Sequence, residues 1–421
     1  MPVNAGWRHK RGSGTVMRQR SFPAATPDGD DGYRTVPEAR IIAMIALAGW
    51  AHQLDDPAVA PRAAAVLQGW VELGLPCRKT DAGERLFDPV EVWVTMKRLG
   101  CAGEDGYFHQ RYVATGRRLA SDRASTEPTG PFRLDIRRTF HLAARAAGQR
   151  LRLRLPLPLE RVHGQRSIDL LDEGIDREAI TIHPDRLELR CAPWARTLAL
   201  AARLGFAAPR DTSIGDDRNL YLRPREGHVV VSERIHDLAR SLAGPGSTPA
   251  GSVGAFWTFL IERFVCVPIH YDKVDPAAPC DGLLDTGAYD CRLGAALFVA
   301  LCRARGIPAR INGGYLLYRH APTPHFWAEY WCADRGWTPV DFLGWDLSGG
   351  GADRVWRDHF FGRIDARLVT EQLPLSFTGA PGVVIPRQWH MLQTATAGGV
   401  EIALTALDGR PIYADLIRLL D

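Results

Sequence analysis

Between Cys291 and Arg305 the chain reads CRLGAALFVALCRAR, with Leu293, Ala296, Leu297, Ala300 and Leu301 at three-and-four spacing and a stop at Gly306 and Pro308. That pattern predicts an amphipathic helix. ARINGGYLLY, HFWAEYWC and WTPVDFL follow it with the composition of strands, the last two joined by the turn residues ADRG. One helix followed at once by three strands makes this region α+β.

At 421 residues the chain is too long for one core and is expected to form two or three folding units. From about Val36 to Leu119 the pattern is helical: ARIIAMIALAGWAHQL and PRAAAVLQGWVELGL repeat the three-and-four spacing, and PVEVWVTMKRLG opens on a proline suited to a first helical position. SDRASTEPTGP, residues 121–131, has no periodicity and reads as a linker, with a boundary near residue 128. Beyond it LDIRRTFHL, RLRLRLPLPLE, AITIHPDRLELRC and TLALAARLGF alternate apolar and polar residues as half-buried strands do. The expected division is an N-terminal helical module (1–128), a β-rich module (129–228), a core with the chemistry (229–375) and a closing segment (376–421). In the last of these, GVVIPRQW, EIALTALDG and PIYADLIRLL would give further strands and a short helix.

Composition excludes several classes. No apolar run approaches the roughly 18 residues that a membrane-spanning helix needs, and 24% of residues are charged. The net charge of +4 is small and the arginines are dispersed, which disfavours a nucleic-acid partner. The first residues, MPVNAGWRHKRGSGTVMRQR, are basic without an apolar h-region, so no secretory signal is expected there. The eight cysteines, at 77, 101, 191, 266, 280, 291, 302 and 332, form no CxxC pair and no metal-ligand spacing, so neither a metal nor another cofactor is expected and a reducing, cytoplasmic setting fits.

Cys291 opens the helix, where unpaired N–H groups and the positive end of the macrodipole would favour a thiolate. The same N–H groups would face the oxygen of an attacked carbonyl, a contribution of about 3 kcal/mol to the barrier. His325 begins the strand expected beside this helix and is placed to exchange a proton with the sulfur. Asp341 ends the next strand; strands lie about 4.8 Å apart, so its carboxylate can orient the imidazole. The plainer readings are a buried core cysteine, a surface histidine and a turn carboxylate, with His320 and Asp346 as rivals. Cys302, Cys266, Cys280 and Cys332 read as structural, and Asp334 as a turn residue. Tyr271, His270 and Trp257 are candidates for a second oxyanion donor. Glu329 and Trp327 share the His325 face by the two-residue period and could line a cleft; an ion pair and core packing are the alternatives.

GAYDCRLGAALFVALCRARGIPARINGGYLL, then HFWAEYW, then RGWTPVDF resembles the core of the transglutaminase-like superfamily over roughly residues 230–375. The resemblance implies a papain-like α+β arrangement, a Cys291–His325–Asp341 triad, and an acyl-cysteine thioester formed from an amide or thioester donor and passed to an amine or to water. It also implies a preceding β module of the kind found in bacterial members and a helical closing element over 355–368. No cluster of acidic residues supports the calcium dependence of some animal relatives. The implied partner is a peptide, protein or carrier-bound acyl substrate, with the oligomeric state open. The rival readings are a non-catalytic interaction protein that keeps the fold and a metal-dependent hydrolase, the latter without an HExxH-type spacing.

Overall fold

The computed structural model describes residues 35–50, 53–100, 131–142, 149–192, 196–209, 218–275, 277–319, 322–347, 359–372, 393–397, 399–404, 406–407 and 410–420. The linker expected over 121–131 apart from its last residue, the boundary near 128, His320, GVVIPRQW and residues 355–358 of the helical element expected over 355–368 lie outside them; of that element's described residues only His359 is helical. The chain forms two compact units, residues 1–106 and 107–421.

In the first unit α1 (Glu38–Trp50) packs on α2 (Val59–Glu72), and α3 (Pro89–Leu99) follows. Pro89 stands in the first turn of α3, where its missing N–H costs nothing, and the Asp88 carboxylate caps the helix by accepting from Val90 N at 2.9 Å. Three short strands, Val36–Pro37, Arg78–Lys79 and Arg85–Phe87, pair into a small sheet that helical periodicity could not reveal. Arg85 Nε donates to Glu38 at 2.8 Å, tying sheet to helix.

The second unit begins with a β-sandwich. Its strands are β1 (Phe132–His141), β2 (Arg150–Pro156), β3 (Ser167–Leu170), β4 (Ile180–Ile182), β5 (Arg186–Cys191) and β6 (Thr197–Phe206). Then come the helices α4 (Glu233–Leu242), α5 (Pro249–Arg263), α6 (Pro279–Thr286) and α7 (Cys291–Ala304). A sheet of β7 (Ala309–Leu316), β8 (Thr323–Cys332), β9 (Gly336–Val340) and, after the short helix α8 (Phe342–Leu347), β10 (Arg367–Gln372) follows. The last strands are β11 (Gln393–Ala397), β12 (Val400–Leu404) and β13 (Tyr413–Leu420). Among the described residues no helix is long and apolar enough to cross a membrane.

The sandwich pairs one sheet of order β13-β1-β6-β3 with another of order β12-β11-β2-β5-β4. Inward side chains such as Leu134, Ile136, Leu153, Leu189 and Leu204 form its core. PIYADLIRLL, one of the three tail segments expected to give strands and a short helix, contains β13, which pairs with β1 from Tyr413↔Phe140 to Leu420↔Arg133. Both β1 and β2 therefore take a neighbour from the far end of the chain, a long-range pairing that a local pattern does not encode. Arg138 occupies an inward position of β1 and is fully buried. It donates to both Asp415 oxygens at 2.7 Å and to the Tyr315 hydroxyl of β7 at 3.2 Å, joining the sandwich to the second sheet.

That second sheet has the order β9-β8-β7-β10, all antiparallel. Helix α7 packs across β7 and β8 and is flanked by α4 and α5, so every residue from Arg292 to Arg303 is buried, not one face alone. Its end is a Schellman turn: Gly306 N donates to Arg303 O and Ile307 N to Cys302 O, both at 3.0 Å, with Gly306 at φ 69°. The glycine pair of β7 marks close approach, because a Cβ on Gly314 would lie 1.8 Å from the Leu368 carbonyl oxygen of β10. Residues 367–368, expected in a helix, are strand because this edge of β7 needs a partner.

A second tie to the sandwich side is His163, fully buried, whose Nδ1–H donates to Ala207 O at 2.7 Å while Nε2 accepts from Val369 N of β10 at 2.9 Å. Both nitrogens are used by the neutral ring, and burial lowers its pKa from 6.5 to about 4.

Two outcomes follow. Gly314→Ala should destabilise the second unit by about 3 kcal/mol, whereas Gly254→Ala on α5, where a Cβ meets nothing within 4 Å, should be neutral or gain up to about 1 kcal/mol; urea unfolding compares them. Because the unfolded chain protonates His163 before the folded one does, its contribution is full above pH 6.5 and falls as the pH drops towards 4, by about 3 kcal/mol in all. His163→Gln should flatten the stability profile across that window.

Candidate active site

Asp290 sits at the N-cap of α7, its Oδ1 accepting from Arg292 N at 3.1 Å and Leu293 N at 2.8 Å. Its Oδ2 accepts from the Tyr271 hydroxyl at 2.7 Å. The cap thus occupies two of the N–H groups that the sequence offers to an oxyanion and leaves the Cys291 N–H as the helix-terminal donor. Tyr271 directs its proton at Asp290, so it supports the cap instead of facing an acyl oxygen. Trp257 is packed in the core against Phe361 and Phe342, with ring centroids 5.4 and 5.0 Å away.

Cys291, half-buried, is the first residue of α7, and the backbone N–H groups of Phe326 and Arg292 act to lower its thiol. Burial nevertheless pushes its thiol well up, and Asp290 and then Asp341 push it further against those two N–H groups. Burial and the neighbouring carboxylate thus act against the thiolate that the helix start favours. Cys302 is fully buried, and burial pushes its thiol up too. Cys332 differs: burial would raise its thiol, but the Asp334 and Arg335 N–H groups and the Arg335 side chain together lower it.

His325 lies on β8 one residue before Phe326, whose N–H acts to lower the Cys291 thiol, and it is fully buried. Its Nε2–H donates to Asp341 Oδ1 at 2.9 Å, while Nδ1 has no partner among the described residues. Asp341 follows β9 directly, where the chain turns into α8, and Oδ1 also accepts from Gly344 N at 2.8 Å. The other oxygen, Oδ2, accepts from Nη2 of Arg367 on β10. Burial alone would raise the Asp341 carboxyl, but Arg367 and then His325 hold it well below the usual carboxylate range. Strand order brings these groups together: β9, β8, β7 and β10 lie side by side, with His325 on β8, Arg367 on β10 and Asp341 directly after β9.

Trp327 and Glu329 share the His325 face, as the two-residue period predicts. The Trp327 ring lies parallel to the imidazole at 6.2 Å, and the Arg367 guanidinium lies 4.7 Å from the Trp327 ring centre. Glu329 accepts from Arg310 Nε at 2.8 Å, the residue opposite it on β7. His359 belongs to another pair, its Nε2 lying 2.7 Å from Asp365 Oδ1. Sequence reasoning missed Asp290 and Arg367. Asp290 had a local signal, an Asp immediately before a helix; Arg367 had none, since only the β7–β10 pairing brings it to Asp341.

Residues 236–342 match the family described as the transglutaminase-like superfamily. The chain carries a transglutaminase-like core. Over 173 residues it is 34% identical to the protein-glutamine gamma-glutamyltransferase of Pseudomonas aeruginosa, covering 37% of this chain and 23% of that protein. The chain therefore spans less than a quarter of that relative's length. Among solved structures, a candidate cysteine protease from Cytophaga hutchinsonii aligns with a TM-score of 0.41 and 15% identity, covering 70% of this chain and 92% of the other. The periplasmic domain of TgpA from Pseudomonas aeruginosa aligns with a TM-score of 0.31 and 20% identity, covering 56% and 95%.

In the transglutaminase-like core the Asp341–Arg367 pair is buried on both sides, at 0% and 1% exposure. Arg367→Met strands a buried carboxylate and should cost about 3–5 kcal/mol of stability. Combining it with Asp341→Asn should cost less than the sum of the two single changes, a coupling that a double-mutant cycle in urea would read.

Proposed function

We propose that this chain is a cysteine-dependent acyltransferase in which Cys291 attacks an amide carbonyl, His325 exchanges the protons and Asp341 orients the imidazole. The observation that carries the reading is His325: Asp341 holds Nε2 at 2.9 Å, Nδ1 is buried without a partner among the described residues, and the next residue's N–H acts to lower the Cys291 thiol. Because burial and two carboxylates oppose a free thiolate, the thiol gives its proton to Nδ1 as the sulfur attacks. The C–S bond forms, the C–N bond of the donor breaks, and the leaving amine takes the proton from the imidazole. An acceptor amine or water then loses a proton to Nδ1 and attacks the thioester; the C–S bond breaks and the thiol is restored. The Cys291 N–H would support the oxyanion.

The named relative transfers a gamma-glutamyl group of protein glutamine. That supports a glutamine side chain as the first donor to test and an amine as the first acceptor, with hydrolysis the outcome when water replaces it.

The test uses a glutamine peptide with and without a primary alkylamine, followed by mass spectrometry of the amide and acid products. Cys291→Ala should abolish both products, and His325→Ala and Asp341→Asn should each lower the rate by about 10³–10⁴-fold. Limited iodoacetamide treatment supplies an independent reading: Cys332 should label in every variant, since its thiol is lowered, while Cys291 should label only when His325 is present. Cys291 that stays unreactive in the wild type, with no product from any donor, would favour a non-catalytic interaction protein.

A further inference from the structure

On the sheet face that carries His325, a cavity of about 300 Å³ opens beside Trp327. Its wall includes Arg310, Asn312, Trp337 and Arg367, but neither Cys291 nor His325 lines it. That volume is at the lower end of the range for small-molecule sites.

The polar chemistry of this wall is unbalanced. Trp327 Nε1, Trp337 Nε1, Arg367 Nε and Arg367 Nη1 are all shut off from solvent without a partner among the described residues. Buried donors are rarely left unpaired in native proteins, and a buried guanidinium is costly unless its N–H groups are used. Arg367 uses Nη2 on Asp341, leaving two donor nitrogens over. The wall's carboxylates are already engaged, Glu329 by Arg310 at 2.8 Å and Asp365 by His359 at 2.7 Å and the Tyr318 hydroxyl at 2.8 Å. Asn312 Oδ1 is the one acceptor here that has no partner among the described residues.

We infer that this cavity is a binding site for a small oxyanion, a carboxylate or phosphate, which takes up the unused donors of Arg367, Trp327 and Trp337; a hydroxyl on the same molecule would satisfy Asn312. Since Arg367 also holds Asp341, the site lies one side chain from the His325–Asp341 pair yet is separate from the sulfur.

The full chain is titrated with acetate, succinate and inorganic phosphate at constant ionic strength, read by calorimetry and intrinsic tryptophan fluorescence. Saturable binding of one anion per chain is expected, and which of the probes bind distinguishes an organic acid from a phosphate. Trp337→Phe keeps the ring but removes one donor and should weaken binding about tenfold. Trp331→Phe, outside the wall, should not change it, and Cys291→Ala should bind as the wild type does, whether or not the proposed acyl transfer is right. No saturable binding of any probe, undiminished binding by Trp337→Phe, or loss of binding in Cys291→Ala would each overturn the inference.

Discussion

The buried carboxylate of Asp341 is the constraint around which the transglutaminase-like core is arranged. A fully desolvated carboxylate is tolerated only if its lone pairs are used, and here His325 Nε2, Gly344 N and Arg367 Nη2 use them. Each partner comes from a different element: β8, α8 and β10. Satisfying one charge therefore fixes the imidazole, the turn out of β9 and the edge strand at once. Gly344 must itself lack a side chain, because a Cβ there would meet the Phe360 ring at 2.6 Å and the Asp341 carboxyl carbon at 3.1 Å.

The Cys291 end is governed by the opposite balance. Asp290 caps α7 well, yet it places negative charge beside the sulfur, and burial removes the water that would solvate a thiolate. The Phe326 and Arg292 N–H groups offset part of this. Asp290 thus stands beside Cys291 as Asp341 stands beside His325. Arg292 adds positive charge nearby, its guanidinium lying 5.5 Å from the Phe326 ring centre.

The sandwich does more than precede the core. Arg138, Tyr315 and Asp415 form a closed buried network from β1 and β13 to β7, and His163 receives the Val369 N–H of β10. Both attachments fall on β7 and the edge strand β10, the two strands farthest from β9, so they stiffen the side of the sheet that presents Arg367 without touching the sulfur. The cost of burying Arg138 is offset by complete pairing and by the Tyr413 ring 3.7 Å away.

How much was legible in the chain follows the range of each interaction. The sequence by itself determined α7, with its start at Cys291 and its stop at Gly306, and the strands carrying His325 and preceding Asp341, because periods of 3.6 and 2 arise from residues a few positions apart. It also determined that His325, Trp327 and Glu329 share a face. Only the tertiary structure decided that Arg367, 26 residues beyond Asp341, completes that carboxylate, that PIYADLIRLL supplies a strand to β1, and that Asp290 and Tyr271 spend the donors first assigned to an oxyanion. Strand pairing and desolvation depend on partners that are distant in the chain, and a local pattern records a residue's own preference but not the neighbour that satisfies it.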